Sequence, residues 1–203
     1  MAYPATFDVP QPAQSYERGQ TITRVLLILL VYIILSGVVG IIWWALPIFG
    51  AILISQKGPQ KYLEEAEKGP VTWIRLVLGF WTYAALLSDK LPLENPGEVA
   101  FKVQTNGTPS VGQALLRIIM VIPHAIVLAI LGWIAGIVWI ITVFSVLMSG
   151  SYPEFAYNYV RGYFKWMARV FAYLGSLVDE YPPFSFDDGS APAMSPPPAQ
   201  PSA

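Results

Sequence analysis

The chain has 203 residues, of which 55% are hydrophobic and only 12% are charged, whereas about a quarter of the residues in a soluble domain are charged. Together with a mean hydropathy of +0.52, this composition indicates a membrane protein rather than a soluble globular domain. The formal net charge of −1 excludes a global positive field that would attract nucleic acid. The absence of cysteine excludes disulfides, thiolate metal sites and cysteine nucleophiles.

The residues before the first apolar segment are polar and contain proline. Alternation of apolar and polar side chains predicts short strands at Phe7-Asp8-Val9 and within residues 99–103. Residues 1–20 contain no short apolar run of the kind that forms a cleavable signal peptide. We therefore expect the first apolar segment to serve as its own insertion signal.

Two long segments, residues 25–56 and 118–153, contain no Asp, Glu, Lys or Arg. A helix crosses the roughly 30 Å of bilayer hydrocarbon with about 20 apolar residues, so each segment is too long for one span. Small residues near the middle of each segment predict two helical hairpins, over about residues 21–56 and 115–150. The predicted turn residues are Gly37, Gly40, Gly132 and Gly136.

The legs of such hairpins would contain about 15 to 18 residues and reach roughly 22 to 27 Å. This length is short for a complete crossing, so the sequence leaves open whether the hairpins span the membrane or enter one leaflet. Gly132-x-x-x-Gly136 also fits the close-packing motif of paired membrane helices. A tight reversal is the preferred interpretation because the motif lies in the middle of its segment.

A surface helix is predicted after the second hairpin, over about residues 154–178. Arg161, Lys165 and Arg169 follow four-residue steps on one face, and Trp166 belongs to the remaining aromatic surface. A basic stripe on an aromatic helix is typical of a helix that lies in the headgroup plane. Crossing the membrane would cost about 2.5–3.5 kcal/mol for each of these charges, so we expect this helix to lie flat.

The corresponding helix after the first hairpin, over about residues 70–88, is less clearly amphipathic. It contains Trp73 and a single basic residue, Arg75. A flat interfacial position is predicted for it as well. Because one charge penalises crossing only weakly, a true span remains the alternative.

Landmarks recur in the same order at an almost constant spacing, which predicts an internal duplication. The matched landmarks are Phe7-Asp8-Val9 with Phe101-Lys102-Val103, Arg24 with Arg117, Pro59 with Pro153, Trp73 with Trp166, and Asp89 with Asp179. The predicted fold is an all-α integral membrane protein of two tandem repeats, each a transmembrane helical hairpin followed by an interfacial amphipathic helix. The repeats occupy residues 1–96 and 97–186, and residues 187–203 form a disordered Pro-rich tail.

The charge distribution predicts the orientation in the membrane. If both apolar segments are hairpins, all 12 Lys and Arg residues lie on one side. The positive-inside rule makes that side cytoplasmic, with both termini there. Tryptophans are expected at the interfaces. The predicted membrane-interface residues are Arg161, Lys165, Arg169, Trp166, Trp73 and Trp133.

Four short motifs lie in the second half of the chain. They are Ile122-Pro123-His124, Gly150-Ser151-Tyr152-Pro153, Trp166-x-x-Arg169-Val170 with Ala172-Tyr173, and Asp179-Glu180-Tyr181-Pro182-Pro183-Phe184-Ser185. In these motifs, residues 97–188 resemble a bacterial membrane-protein family known only as domain of unknown function 4389. The sequence departs from the family pattern at Val178 and Glu180, where Thr and Arg are more usual. The resemblance implies a multi-pass bacterial membrane protein and carries no activity with it.

His124 is the single histidine and the one candidate for an intramembrane polar site. A proton relay or a haem axial ligand would use such a residue. The repeat places Val31 opposite it, so it has no symmetric partner, and a histidine bonded to a neighbouring helix or to lipid is the preferred interpretation. One histidine and no cysteine provide no metal-ligand spacing. We predict no catalytic residues, no metal and no cofactor.

The function expected from these features is that of a non-enzymatic membrane protein, a structural or accessory subunit of a membrane assembly. Its expected partners are the lipid bilayer and other membrane subunits or a second copy of the chain, and no nucleic acid. One alternative is a reticulon-like protein that shapes membranes with shallow hairpins. A second alternative is a small pore or carrier that uses His124.

Overall fold

The computed structural model describes residues 3–9, 11, 12, 16, 18–88 and 99–187; within the first long helix, several side chains between residues 18 and 42 are not described. The described part is mostly helical, as predicted. The elements in chain order are β1 Ala5–Asp8, α1 Arg18–Lys57, α2 Pro59–Glu64, a short 3₁₀ turn Ala66–Lys68, α3 Pro70–Ala84, β2 Ala100–Val103, α4 Val111–Met120, α5 Ile122–Ser149 and α6 Glu154–Leu174.

The two apolar segments form long helices and not hairpins. The first, α1, is continuous for 40 residues and passes through Gly37 and Gly40. The second, α5, is continuous for 28 residues and passes through Gly132 and Gly136. The predicted hairpin turns are therefore wrong. An interior glycine costs a helix only about 1 kcal/mol, so small residues without a true turn sequence do not end a helix.

The helices α4 and α5 follow each other with a single residue between them. Val121 itself has near-helical dihedral angles, φ −82° and ψ −12°. Pro123 lies in the first turn of α5, where its missing N–H leaves no hydrogen bond unmade. At the start of α4, the Ser110 hydroxyl accepts from the Gln113 N–H, and the Gln113 side chain accepts from the Ser110 N–H, which forms a capping box. The pair α4–α5 is therefore a bent rod similar in length to α1.

The rod α4–α5 runs antiparallel to α1. The N–H of Tyr16, just before α1, donates to the carbonyl of Gly150, just after α5, at 3.0 Å. Further along α1, Trp43 lines the same cavity as Val121 at the start of α5. The beginning of each rod thus lies beside the end of the other.

Both predicted strands are present and pair with each other, forming a two-stranded ribbon. In the antiparallel register of β1 and β2, Phe7 lies directly opposite Phe101. Both rings are buried in the core. These are the residues that the proposed duplication matches to each other, so equivalent positions meet at the centre of the ribbon.

The helix α6 lies between α5 and the ribbon. On one side, the Tyr159 hydroxyl donates to the Leu131 carbonyl of α5 at 2.9 Å. On the other side, the Tyr157 hydroxyl donates to the Val9 carbonyl beside β1 at 3.3 Å. Residues two apart point about 200° apart on a helix, so α5 and β1 contact opposite faces of α6.

The helix α6 is the most buried helix of the fold, which corrects the prediction of a surface helix. Every residue from Gly162 to Leu174 is buried. Of the predicted basic stripe, the Arg161 side chain is 24% exposed, while Lys165 and Arg169 are buried. The periodicity was correct, but the polar face is covered by other parts of the chain and not by headgroups.

The helices α3 and α6 end in the same way. The residue after the C-cap has positive φ in both, 63° at Leu86 and 55° at Ser176. The N–H of Leu87 then donates to the Thr82 carbonyl, and the N–H of Leu177 to the Ala172 carbonyl, as in a Schellman motif. Residues 89–98, which include the repeat landmark Asp89, and the predicted tail beyond Asp187 lie outside the described residues. The proposed repeat boundaries remain predictions.

Candidate functional site

A continuous apolar face runs along α4 and α5. The most exposed side chains on it are Trp133, at 82%, and Met148, at 76%. The buried residues His124 and Leu128 lie on the opposite side of α5, toward α6. The large exposed side chains of this face are Leu115, Leu116, Ile119, Ile122, Ile126, Ile130, Trp133, Ile134, Ile137, Ile140, Ile141, Phe144 and Met148.

This apolar face is larger than an ordinary surface patch. The 28 residues of α5 give a helix about 42 Å long and about 10 Å wide, and the outer half of such a cylinder covers roughly 650 Å². The largest apolar patch of a soluble monomer covers about 300–600 Å². On α1, which packs beside α4 and α5, the side chains of Ile22, Leu26, Trp44, Ile48, Phe49 and Ile52 are also exposed.

In the part of the chain that the structure describes, α5 is the one helix that is long and apolar enough to cross a membrane. Only 17% of its most apolar window is buried, whereas the core helix of a soluble protein is mostly buried. The described helices do not support the predicted multi-pass arrangement of two hairpins. The apolar character of the segment is confirmed, and its folding back on itself is not.

The predicted interface residues separate into two groups. Trp73 and Trp133 are exposed, at 63% and 82%. Trp166 is buried and contacts His124 of α5. The three basic residues of α6 lie on the sides of that helix that contact the ribbon and the segment after α6. The structure therefore brings Trp166, and not the exposed tryptophans, into contact with the candidate polar residue.

His124 is fully buried in an aromatic cluster. Its Nδ1 accepts a hydrogen bond from the Trp166 indole N–H at 3.0 Å. The imidazole stacks on the Phe184 ring, with 3.9 Å between centroids and 11° between planes, and the Tyr181 ring lies 4.8 Å away. Because Nδ1 accepts, the proton of the neutral imidazole is on Nε2. Nε2 lies near the Pro182 carbonyl but makes no hydrogen bond of standard geometry with the described residues.

Arg117 of α4 holds the end of α6. One guanidinium nitrogen donates to the carbonyls of Tyr173 and Val178, at 2.7 and 2.6 Å, and the other donates to the Asp179 carboxylate at 2.7 Å. The guanidinium also lies over the Tyr173 ring, 4.5 Å from its centroid. A cation at a helix C-terminus is favoured by the helix dipole. The Arg117 side chain is 5% exposed, so these contacts replace water.

Arg169 of α6 holds the segment after α6. Its guanidinium donates to the Asp187 carbonyl at 2.5 Å and to the Ser185 carbonyl. The same segment places Phe186 against Gly162, where an added Cβ would approach the Phe186 Cβ to 2.8 Å. Residues 179–187, named here the C-terminal strap, are thus fixed to α4, α5 and α6 at several points.

Arg161 joins α6 to β1. Its guanidinium makes two hydrogen bonds to the Asp8 carboxylate, at 2.7 and 2.8 Å. Burial acts to raise the pKa of Asp8, but the hydrogen bonds from Arg161 and from the Val9 N–H outweigh it, so the pKa lies below the ordinary value of 3.8. The pair keeps two charges on the side of α6 that faces away from α5.

The sequence pattern missed how tyrosines connect the two halves of the chain. The Tyr62 hydroxyl donates to the Gly175 carbonyl at the end of α6. The Tyr152 hydroxyl donates to the Ala85 carbonyl at the end of α3, at 3.1 Å. A tyrosine close to each predicted helix end was the available signal, but its partner is far away in sequence. Among the described residues, no group of three or more His, Cys, Asp and Glu could hold a metal ion.

An apolar cavity of about 300 Å³ opens between α1, α3, α4, α5 and α6. It is lined mainly by hydrophobic and aromatic side chains. Representative lining residues are Trp43, Trp44, Trp81, Leu128 and Met167. Trp44 both lines this cavity and is exposed at the surface.

Comparisons with known proteins agree with the family resemblance of the second half. Residues 112–185 match the model described as Domain of unknown function (DUF4389). The match includes α4, α5, α6 and most of the C-terminal strap. Three of the four motifs that carry the resemblance meet around His124 and Arg169, whereas Gly150-Ser151-Tyr152-Pro153 lies at the opposite end of α5. No curated protein and no solved structure matches the chain.

Proposed function

We propose that this protein is a non-enzymatic component of the bacterial inner membrane that serves as a structural or accessory subunit of a membrane assembly. The observation that carries the proposal is the exposed apolar face of α4–α5. The residues of that face include Trp133 and Met148, and residues 118–153, which contain α5, include no Asp, Glu, Lys or Arg. The lipid bilayer is the proposed partner of this face.

The magnitude of the hydrophobic effect supports lipid contact. Exposing roughly 650 Å² of apolar surface to water, at about 25 cal/mol per Å², corresponds to about 16 kcal/mol. This is comparable with the whole stability of a folded domain, about 5–15 kcal/mol. A protein with this face in water would associate or aggregate, so a lipid or protein surface must cover it.

The orientation and the duplication belong to the same proposal. The Asp8–Arg161 pair lies on the side of α6 that faces away from α5, and we assign that side to the cytoplasm together with both termini, by the positive-inside rule. The matched pair Phe7 and Phe101 and the similar ends of α3 and α6 support a tandem duplication.

The packing around His124 favours a structural protein over a pore or carrier. Aromatic rings enclose the imidazole, and a pathway would instead need polar groups facing an open channel. The hydroxyls further along α5 are used locally, because Thr142 donates to the Val138 carbonyl and Ser145 to the Ser151 carbonyl. We therefore assign His124 to the attachment of the C-terminal strap.

Membrane attachment can be tested by adding charge to the apolar face. The double variant Ile130→Lys, Ile137→Lys should leave the carbonate-washed membrane fraction or fail to accumulate. The matched control Gln104→Lys, Thr105→Lys adds the same charge at two exposed positions just after β2 and should remain in the membrane. Wild-type protein that is soluble without detergent would contradict the proposal.

The subunit role has a separate test. After extraction from native membranes in mild detergent, the protein should sediment as an assembly with a fixed ratio to a partner or to further copies of itself. Recovery as a single copy with no associated protein, from membranes crosslinked before extraction, would contradict the role of a structural subunit.

A further inference from the structure

We propose that α1 and the rod α4–α5 lie nearly parallel to the membrane surface and are embedded in one leaflet, so that neither crosses the bilayer. This inference rests on the proposed function, because it assumes that lipid covers the apolar face. The inference adds that the lipid in contact with the apolar face belongs to a single leaflet. Four observations carry it.

The order of the layers is the first observation. The exposed side chains of α5 point away from α6, whose opposite face contacts β1. The ribbon therefore lies directly behind the apolar face and not beyond the end of the helix. If α5 crossed the bilayer, then α6 and the ribbon beside it would also lie at bilayer depth.

The chemistry of the ribbon is the second observation. Lys102 of β2 is exposed, and the side chains of Asp8 and Arg161 are 34% and 24% exposed. Each charge placed in hydrocarbon would cost about 2.5–3.5 kcal/mol. A two-stranded ribbon also has open edges, and unpaired backbone groups are not tolerated in contact with lipid. Water is the environment that fits this layer.

The length of the apolar face is the third observation. Within α5, exposed apolar side chains extend from Ile122 to Met148, which corresponds to about 39 Å at 1.5 Å per residue. On α1 the described exposed apolar side chains lie near its start, at Ile22 and Leu26, and near its end, from Trp44 to Ile52. The 39 Å face of α5 fits inside about 30 Å of hydrocarbon only with a tilt of roughly 40°, the upper limit of the usual range of 0–40°, before any part of α4 is included. A helix lying in the plane meets no such limit.

The thickness of the layers is the fourth observation. Packed helices are about 8–10 Å apart, and a sheet packs about 10 Å from its neighbouring layer, so the ribbon is roughly 20 Å from the α5 axis. Embedding the outer half of α5 needs a depth of about 5 Å, which is within the 5–10 Å typical of interfacial helices. The ribbon then lies in water above the headgroups. Two long helices inserted in this way widen one leaflet relative to the other.

Nitroxide labels along α5 can distinguish the two orientations. Since the chain has no cysteine, single variants Ile126→Cys, Trp133→Cys, Ile137→Cys and Met148→Cys each carry one label at an exposed position. In liposomes, the depth follows from the relative accessibility to oxygen and to a water-soluble nickel chelate. A helix in the plane gives similar depths at all four positions, within about one helix radius, 5 Å.

A crossing helix gives a different profile. Residues 126 and 148 are separated by about 33 Å along the axis, so a crossing helix places the middle labels deepest and the end labels near opposite interfaces. That profile would overturn the inference while leaving membrane attachment intact. Nickel accessibility at all four positions equal to that of a Lys102→Cys control would instead overturn the proposed function. In oriented vesicles, an impermeant thiol reagent should react with Ile126→Cys and Met148→Cys from the same side, or with neither variant. Reaction of the two variants from opposite sides would also overturn the inference.

Discussion

Replacing Arg117 by methionine is expected to release the end of α6 and the start of the C-terminal strap. Methionine keeps most of the side-chain length but removes all hydrogen-bond donors. The Tyr173 and Val178 carbonyls, which Arg117 holds at 2.7 and 2.6 Å, then lose a charged donor in a site where the arginine is only 5% exposed. The sequence match to Arg24 does not reveal this role, because the three acceptors come from a distant segment.

The expected loss of stability follows from the burial of these groups. The Val178 carbonyl is left without a described donor, which costs about 1–3 kcal/mol. The Tyr173 carbonyl keeps the Ser176 N–H at 2.9 Å and loses a charged hydrogen bond that contributes about 1.5–3 kcal/mol. The sum agrees with about 3–5 kcal/mol for breaking a buried ionic contact. The variant Asp179→Asn is the matched control. The Asp179 side chain is 45% exposed, and Arg117 keeps both carbonyls, so this loss should stay below about 1 kcal/mol.

The free energy of unfolding of each variant can be measured by denaturant titration in one detergent, followed by tryptophan fluorescence. The expected order is wild type, then Asp179→Asn, then Arg117→Lys, with Arg117→Met least stable. Lysine keeps the charge but lacks the planar fork that reaches three acceptors. Equal losses for Arg117→Met and Asp179→Asn would refute the assignment, because the ion pair and not the carbonyl contacts would then dominate.

Two further perturbations test other parts of the fold. The pKa of Asp8 is lowered, so its pairing with Arg161 stabilises the fold above the ordinary pKa of 3.8, and this stability is lost as the pH falls through the lowered value. The free energy of unfolding of wild type should exceed that of Asp8→Asn by up to about 1 kcal/mol at neutral pH, and this difference should vanish in acid. A difference that does not change with pH would contradict the pairing. Gly162→Ala should lower the stability by about 1–3 kcal/mol, because the new Cβ would lie 2.8 Å from Phe186. Gly136→Ala has no atom within 4 Å of the new Cβ and should be neutral or stabilise α5 by up to about 1 kcal/mol. A large loss of stability at Gly136 would indicate a turn there and contradict a continuous helix. Thermal unfolding of the purified variants in one detergent measures both.

Local patterns predicted the secondary structure well where the signal was contained in neighbouring residues. Alternation around Phe7 and Phe101 correctly predicted the two strands, and the charge-free segments are helices. The hairpin prediction failed because it relied on bilayer thickness to set helix length. If a helix lies in the membrane plane, the thickness of the hydrocarbon does not limit its length, and Gly37 or Gly132 need not mark a reversal.

The role of α6 could not be predicted because periodicity shows that a face is polar but not what covers it. Arg161, Lys165 and Arg169 follow the pattern of a helix against headgroups. In the fold, a carboxylate from β1 and carbonyls from the C-terminal strap supply part of that polar environment. The contact between His124 and Trp166 likewise joins residues whose separation in the chain carries no local signal.

Contact between the apolar face of α5 and lipid is tested most directly by fluorescence quenching at Trp133, the most exposed large side chain on that face, at 82%. An environment-sensitive fluorophore on Trp133→Cys in liposomes should be quenched by phospholipids brominated in the acyl chains and protected from aqueous iodide. The same fluorophore on Lys102→Cys should show the reverse. Strong iodide quenching at residue 133, with no effect of brominated lipid, would contradict the account.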